Sequence, residues 1–186
     1  MDSIVFRRAV ATDYSAIVQL NAANFIANLS EAERRDGFLS ALFTMEQTAA
    51  MAEQLGTTVA VADGQVAGFL CAFRNDFDHG SPVVAKMIES YDRLSFQDRL
   101  LNTYRSYAYG PVCIGRAYRR KGLLRGLFEE QKRQLAGRFE VGVALIARTN
   151  QHSLDAHIAG LGMTDVGSFE VEGNVFATVA FRVRPN

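Results

Sequence analysis

Cysteine is scarce in this chain of 186 residues: there are 2, Cys71 and Cys113, and both sit inside apolar runs. Reduced core residues are the plain reading, and a disulfide framework is excluded. The 3 histidines, at positions 79, 152 and 157, share no ligand spacing with those thiols, so no metal site is indicated. Proline is scarce as well, at 3 residues, and no low-complexity tract interrupts a composition that is 48% hydrophobic and 22% charged. That balance excludes a disordered chain and offers no linker, so residues 1–186 read as one domain. An excess of one charge sign is missing too: 20 Lys and Arg offset 20 Asp and Glu. No overall field exists to gather polyanions, which argues against a nucleic-acid partner. No apolar run is long enough to span a bilayer, and Asp2, Arg7 and Arg8 interrupt what would be the apolar centre of a signal peptide. The expectation is a cytoplasmic protein with no membrane partner.

What is present reads as alternating strands and helices. SIVFRRAV predicts a first strand, and ATDYSAIVQLNAANF a helix capped by Thr12. Capping boxes at Ser30 and Thr44 open two further helices, broken around Gly37 and ended before Gly56. Two β-rich runs flank Asp63-Gly64, the pair that favours a type I′ hairpin. Residues 82–105 read as a helical insert behind Ser81 and Pro82, with SFQD as a second helix start. SYAYGPVCIG returns to strand, a helix runs to Gly137, and FEVGVALIA is a buried strand. A short helix over 153–159 and two strands joined at Gly173-Asn174 complete an α/β chain with a mixed sheet.

The chemistry concentrates in YRRKGLLRGLF, Tyr118 to Phe128, which stands between a strand and a helix. A helix start presents unpaired backbone N–H groups and the positive end of the helix dipole, so a tight loop feeding it is an anion site. Gly122 lets the backbone approach a ligand, while Arg119, Arg120, Lys121 and Arg125 add charge suited to a pyrophosphate. Neither the GxxxxGK[ST] loop nor GxGxxG is present. A nucleic-acid patch would need charge spread more widely and aromatic stacking partners.

This stretch resembles the acetyl-CoA loop of the GNAT superfamily of N-acetyltransferases, [Q/R]xxGx[G/A]. Arg119, Gly122 and Leu124 stand at its three places, Leu124 departing from the usual small residue. A second family pattern, of the form Nxx[A/S]xx[L/F]YxxxGF, is similar to NQHSLDAHIAGLGM. Asn150, Ser153 and His157 match it, with His157 at the tyrosine place, Ala156 at the bulky place and one residue more before Gly162. The order of elements also looks like the family's. The resemblance implies a single α/β domain with a mixed, largely antiparallel sheet of about seven strands flanked by helices.

It further implies transfer of an acetyl group from acetyl-CoA to a primary amine of a small molecule or peptide, by direct attack. Arg119, Arg120, Lys121, Gly122, Leu123, Leu124 and Arg125 would hold the pyrophosphate. The backbone of Val112, Cys113 and Ile114 would hold the pantetheine arm and the developing oxyanion. Asn150 and Ser153 would touch the same arm, and His157 would protonate the departing thiolate. Each has a plainer reading: Val112 to Ile114 as core, Asn150 as a turn former, Ser153 as a helix cap and His157 as an ordinary helical polar residue. The general base stays open among Asp76, Asp78, His79, Tyr107, Tyr109 and a water relay. Homodimers are common in the family. A coenzyme-binding sensor or interaction module without catalysis is the alternative function.

Overall fold

The computed structural model describes residues 4–77 and 80–184. In chain order they form β1 (Val5–Arg8), α1 (Tyr14–Ala23), α2 (Glu31–Arg34), α3 (Met45–Gln54), β2 (Thr57–Ala62) and β3 (Gln65–Arg74). Next come α4 (Pro82–Glu89), β4 (Ser95–Phe96), β5 (Arg99–Leu100), β6 (Ser106–Ile114), α5 (Leu123–Leu135), β7 (Val141–Ala147), α6 (Gln151–Asp155), β8 (Thr164–Val171) and β9 (Asn174–Arg182). The main sheet has seven strands in the order β1-β2-β3-β6-β7-β9-β8, mixed and mostly antiparallel. The chain divides into two compact units, residues 4–73 with 109–135 and residues 74–108 with 136–184.

In the first unit β1, β2 and β3 form an antiparallel meander whose hairpin turns through Asp63 and Gly64, both with positive φ. Phe6, Ala60 and Gly68 lie in register on one face, and α5 packs there. Its buried residues Leu123, Leu127, Phe128, Gln131 and Leu135 recur at helical spacing. Gly126 is where the helix meets β1: a Cβ at that position would stand 2.1 Å from the Phe6 ring. Buried Gln131 donates its amide to the Cys71 carbonyl at 3.0 Å and so pins the helix to β3. On the opposite face α1 brings Leu20 to Cys113 and Gly115.

The expected capping boxes form at Ser30 with Glu33 and at Thr44 with Gln47. The expected Thr12 cap does not. Thr12 lies in a short 3-10 turn, and α1 begins behind Asp13, whose carboxylate takes two hydrogen bonds from Arg7 (2.6 and 2.9 Å) and one from Val10 N–H (2.8 Å). A buried carboxylate needs such partners, and Arg7 above all holds its pKa down.

In the second unit β6 and β7 pair in parallel over Ser106–Ala108 and Val141–Val143, and β9 and β8 continue antiparallel. Tyr107, Gly142 and Phe181 stand in register across three strands. The Phe181 ring fills the space a Gly142 Cβ would take, at 2.2 Å, and meets the Tyr107 ring edge-on at 6.2 Å.

The insert is not helical throughout. After α4 and a 3-10 turn, SFQD forms the start of the β4–β5 hairpin, because Gln97 and Asp98 both take positive φ, 48° and 64°. Long-range contacts override the local helix signal. Tyr104 donates to the Phe96 carbonyl at 2.7 Å, and Arg182 reaches Gln97 at 2.7 Å while covering the Tyr104 ring. The last turn falls at Glu172-Gly173, one residue earlier than expected, since Glu172 takes φ 51° ahead of Gly173.

Replacing Gly126 by Ala should destabilise the protein by about 1–3 kcal/mol through overpacking against Phe6, although alanine is the better helix former by about 1 kcal/mol. Urea unfolding checks this, and the penalty should shrink in a Phe6→Leu background. A stabilised Gly126→Ala protein would refute the contact.

Candidate functional site

The loop between β6 and α5 is built to leave a helix start open. After a 3-10 turn at Arg116–Tyr118 the backbone is extended at Arg119, left-handed at Arg120 (φ 63°) and left-handed again at Gly122 (φ 80°). The first α-helical bond of α5 runs from Gly126 N–H to the Gly122 carbonyl, so the N–H groups of Leu123 and Leu124 precede any acceptor of the helix itself. Elsewhere Ser30, Thr44, Ser81 and Asn150 cap the helices they precede with a side-chain oxygen. Gly122 has none to offer, and a Cβ built on it meets nothing within 4 Å. Glycine is required there for its φ, and the space beside its Cα is open.

Around this point Arg120, Lys121, Gly122 and Arg125 are exposed, Leu124 is half-buried and Leu123 is core. The small residue of the family pattern is therefore replaced by a leucine only partly drawn into the protein.

Arg119 makes contacts within the protein that its charge alone does not suggest. Its guanidinium donates to the Ile114 carbonyl (3.2 Å), to the Asp36 carbonyl (3.1 Å) and to Asn24 Oδ1 (2.8 Å). Arg116 beside it pairs with Glu33 at 2.6 Å, and that contact pulls the Glu33 carboxyl down to about 2. Sequence reading missed Asn24 and Glu33 as partners of this loop, and no local pattern marks them, because contacts so distant along the chain leave no periodicity.

The β6 strand feeding the loop does not alternate as its sequence suggests. Tyr109 meets Phe128 of α5 edge-on at 6.2 Å, whereas Cys113 lies against Leu20 of α1 on the other face. Period-2 alternation would have put both on one face. The pleat resets at Gly110, whose φ of 101° no ordinary strand residue adopts, and Pro111 follows it across a cis peptide. Burial pushes the thiols of Cys113 and Cys71 up to about 12, so neither is a nucleophile near neutral pH.

Asn150, Ser153 and His157 come together in the second unit. Asn150, rather than Ser153, is the helix cap: its Oδ1 accepts from Ser153 N–H at 3.2 Å. The expected helix from 153 therefore starts at Gln151, and it widens into a π-helical turn over Ala156–Gly160. A π turn takes up one extra residue, which is the extra residue this chain carries before Gly162. His157 on that turn is buried, and its Nδ1 lies 2.7 Å from the Ser153 carbonyl. A carbonyl only accepts, so Nδ1 carries the hydrogen and in the neutral ring Nε2 holds the lone pair. Burial lowers its pKa, the bond to Ser153 opposing more weakly. A neutral imidazole is not the ready acid for a thiolate that the sequence suggested.

The other candidates for a base fare no better. Asp76 is exposed and paired with Arg74, whose Nε and Nη2 donate to its two oxygens at 2.8 and 2.9 Å. Tyr107 and Tyr109 are buried among aromatic rings, and burial raises the Tyr109 pKa. Asp78 and His79 lie outside the described residues. Among the described residues no group of three or more His, Cys, Asp or Glu could hold a metal ion, and no helix is long and apolar enough to cross a membrane.

No family model matches the sequence, and no curated protein matches it. Solved structures do. An N-acetyltransferase from Staphylococcus aureus Mu50 superposes with a TM-score of 0.62 at 19% identity, covering 98% of this chain and 99% of the other. The ribosomal-protein-S18-alanine N-acetyltransferase from Escherichia coli gives 0.63 at 11% identity, covering 99% and 96%. A protein from Salmonella typhimurium, described as an acetyltransferase and solved with its cofactor acetyl-CoA, gives 0.61 at 18% identity, covering 99% and 96%. At such identities the likeness is one of fold: this chain has the fold of the GNAT acetyltransferases over almost its whole length.

The histidine makes a pH prediction. Unfolded, His157 takes a proton at about pH 6.5; folded, it does so only at lower pH. Its stabilising share is thus fully present above about pH 6.5 and is lost as the pH falls through the lowered folded value. Melting temperature measured between about pH 7.5 and 5.5 should fall less in His157→Gln than in the unaltered protein, and equal slopes would show that His157 does not titrate in this window.

Proposed function

We propose that this protein is an acetyl-CoA-dependent N-acetyltransferase acting on a primary amine of a small molecule or peptide. The observation that carries the reading is the open start of α5, where Gly122 replaces a cap and a left-handed Arg120 turns the chain. In this reading the backbone N–H groups there, with Arg120, Lys121 and Arg125, take the pyrophosphate. Arg119 holds the loop and offers the coenzyme its backbone. The backbone of Val112, Cys113 and Ile114 lines the pantetheine arm and polarises the thioester carbonyl. Asn150 and Ser153 serve the same arm. The fold shared with a protein solved with acetyl-CoA supports this assignment.

The reaction is a single displacement. The amine nitrogen attacks the thioester carbonyl carbon, the C–S bond breaks, and the nitrogen's proton ends on the coenzyme sulfur. Thiols with pKa values of about 12 favour this over an acyl-enzyme on Cys71 or Cys113. His157, whose second proton burial disfavours, is the residue assigned to carry the proton between the attacking nitrogen and the thiolate. Positioning of the two substrates provides much of the acceleration. The setting is the cytoplasm.

A second reading, a coenzyme-binding module without catalysis, is favoured by the state of the base candidates: Asp76 is locked to Arg74 and Tyr109 stays protonated.

Acetyl-CoA at about 100 times its dissociation constant should raise stability by about 2.7 kcal/mol, which is a shift of roughly 5–10 °C for a chain of this size. No shift at saturation removes both readings. Given a shift, thiol release from acetyl-CoA across a panel of primary amines separates enzyme from sensor. His157→Ala should lower that rate by about 10²-fold or more while keeping the thermal shift.

A further inference from the structure

The cation that the coenzyme pattern counts first, Arg119, donates from all three of its guanidinium nitrogens to protein. Its three acceptors are not scattered. Ile114 ends β6, while Asn24 and Asp36 belong to the segment that leaves α1 and returns to α3. That segment has little regular structure: a 3-10 turn at Ile26–Asn28, the four-residue α2 and one bridge between Phe25 and Leu39. Its ends are closed by Ile26 N–H to Leu39 O and Leu39 N–H to Asn24 O, both 2.8 Å, and by Asn21, which bonds Ala41 O and Phe43 N–H at 2.9 Å. Asn28 also ties it back to α1 through the Ala22 carbonyl at 2.8 Å, and Arg119 and, through Glu33, Arg116 tie it to the loop. Both arginines lie on the loop proposed to hold the pyrophosphate.

From this geometry we propose that Arg119 and Asn24 form a latch: Arg119 is a positioning residue that couples the anion loop to residues 24–39, and it touches no phosphate with its side chain. The inference rests on the coenzyme reading above and deepens it. Arg119 lies immediately before the left-handed Arg120, a conformation unfavourable for an ordinary residue that persists only where neighbours fix it. The latch supplies that fixation. Coupling of this kind is reciprocal, so an anion that stabilises the loop also stabilises residues 24–39, and loosening that segment weakens anion binding by the same factor.

A double-mutant cycle on acetyl-CoA affinity tests it. Asn24→Ala and Arg119→Lys should each raise the dissociation constant by about tenfold, and the double variant should add nothing further. Asn24→Asp keeps the acceptor for Arg119 but loses the amide's bond to the Leu20 carbonyl (2.9 Å), so it should bind acetyl-CoA more tightly than Asn24→Ala does, and equal affinities would count against the latch. Amide hydrogen exchange over residues 24–39 should slow on adding acetyl-CoA, and this should vanish in Asn24→Ala. If Arg119 ligates phosphate instead, Arg119→Lys weakens binding while Asn24→Ala leaves it unchanged or tighter; that result overturns the latch. Acetyl-CoA that binds without slowing exchange in residues 24–39 overturns the latch and leaves the coenzyme reading standing. An absence of any acetyl-CoA binding overturns both.

Discussion

The turn from β6 into α5 is the constraint on which the proposed coenzyme site depends. A strand must become a helix within one short loop, and the start of that helix must stay unblocked. The chain achieves this with left-handed backbone at Arg120 and Gly122. Glycine takes such a conformation at little cost, whereas arginine does not. Next to Arg120, the Arg119 guanidinium gathers β6 and the segment after α1. What looks in the sequence like a run of equivalent cations is not uniform: Arg119 and Arg116 bond to residues far along the chain, while Arg120 and Lys121 are exposed beside the helix start.

An anion site made of backbone N–H groups is only as fixed as its helix. The seat of α5 combines close approach and polar anchoring. Without a side chain at Gly126, the helix comes down onto Phe6; without one at Gly68, β3 accepts Ile114 and Leu127. Gln131 then ties the helix to β3 by donating to the Cys71 carbonyl. A buried amide with such a partner avoids the cost of an unpaired one and sets the position of the helix along the strand. The second unit repeats the device, with Phe181 over Gly142 and Tyr107 closing the row.

Much of this was legible in the sequence because it is local. The capping boxes at Ser30 and Thr44, the Asp63-Gly64 turn and the apolar ladder of α5 each follow from residues a few positions apart, and each formed. The hidden features depend on partners far along the chain or on ordinary residues in left-handed backbone. SFQD carries the pattern of a helix start, yet Gln97 and Asp98 turn a hairpin because Phe96, Tyr104 and Arg182 pack around it. Tyr109 and Cys113 have the spacing of one strand face, yet Gly110 resets the pleat between them. Arg119 reads as a phosphate ligand by charge and by resemblance alike, and its three protein acceptors, distant along the chain, leave no mark in the sequence.

His157 shows how such a correction alters the chemistry and not only the geometry. A residue inserted before Gly162 widens one helical turn, and on that turn the imidazole reaches back to the Ser153 carbonyl. The bond fixes the hydrogen on Nδ1, and burial disfavours a second proton. An acid poised to protonate a thiolate needs that second proton before the reaction begins. A neutral ring can acquire it only during the reaction, from the attacking nitrogen, whose acidity rises as its bond to carbon forms. The arrangement thus suits a proton carrier within one displacement, and the two thiols held near pKa 12 make the competing two-step route through cysteine the poorer one.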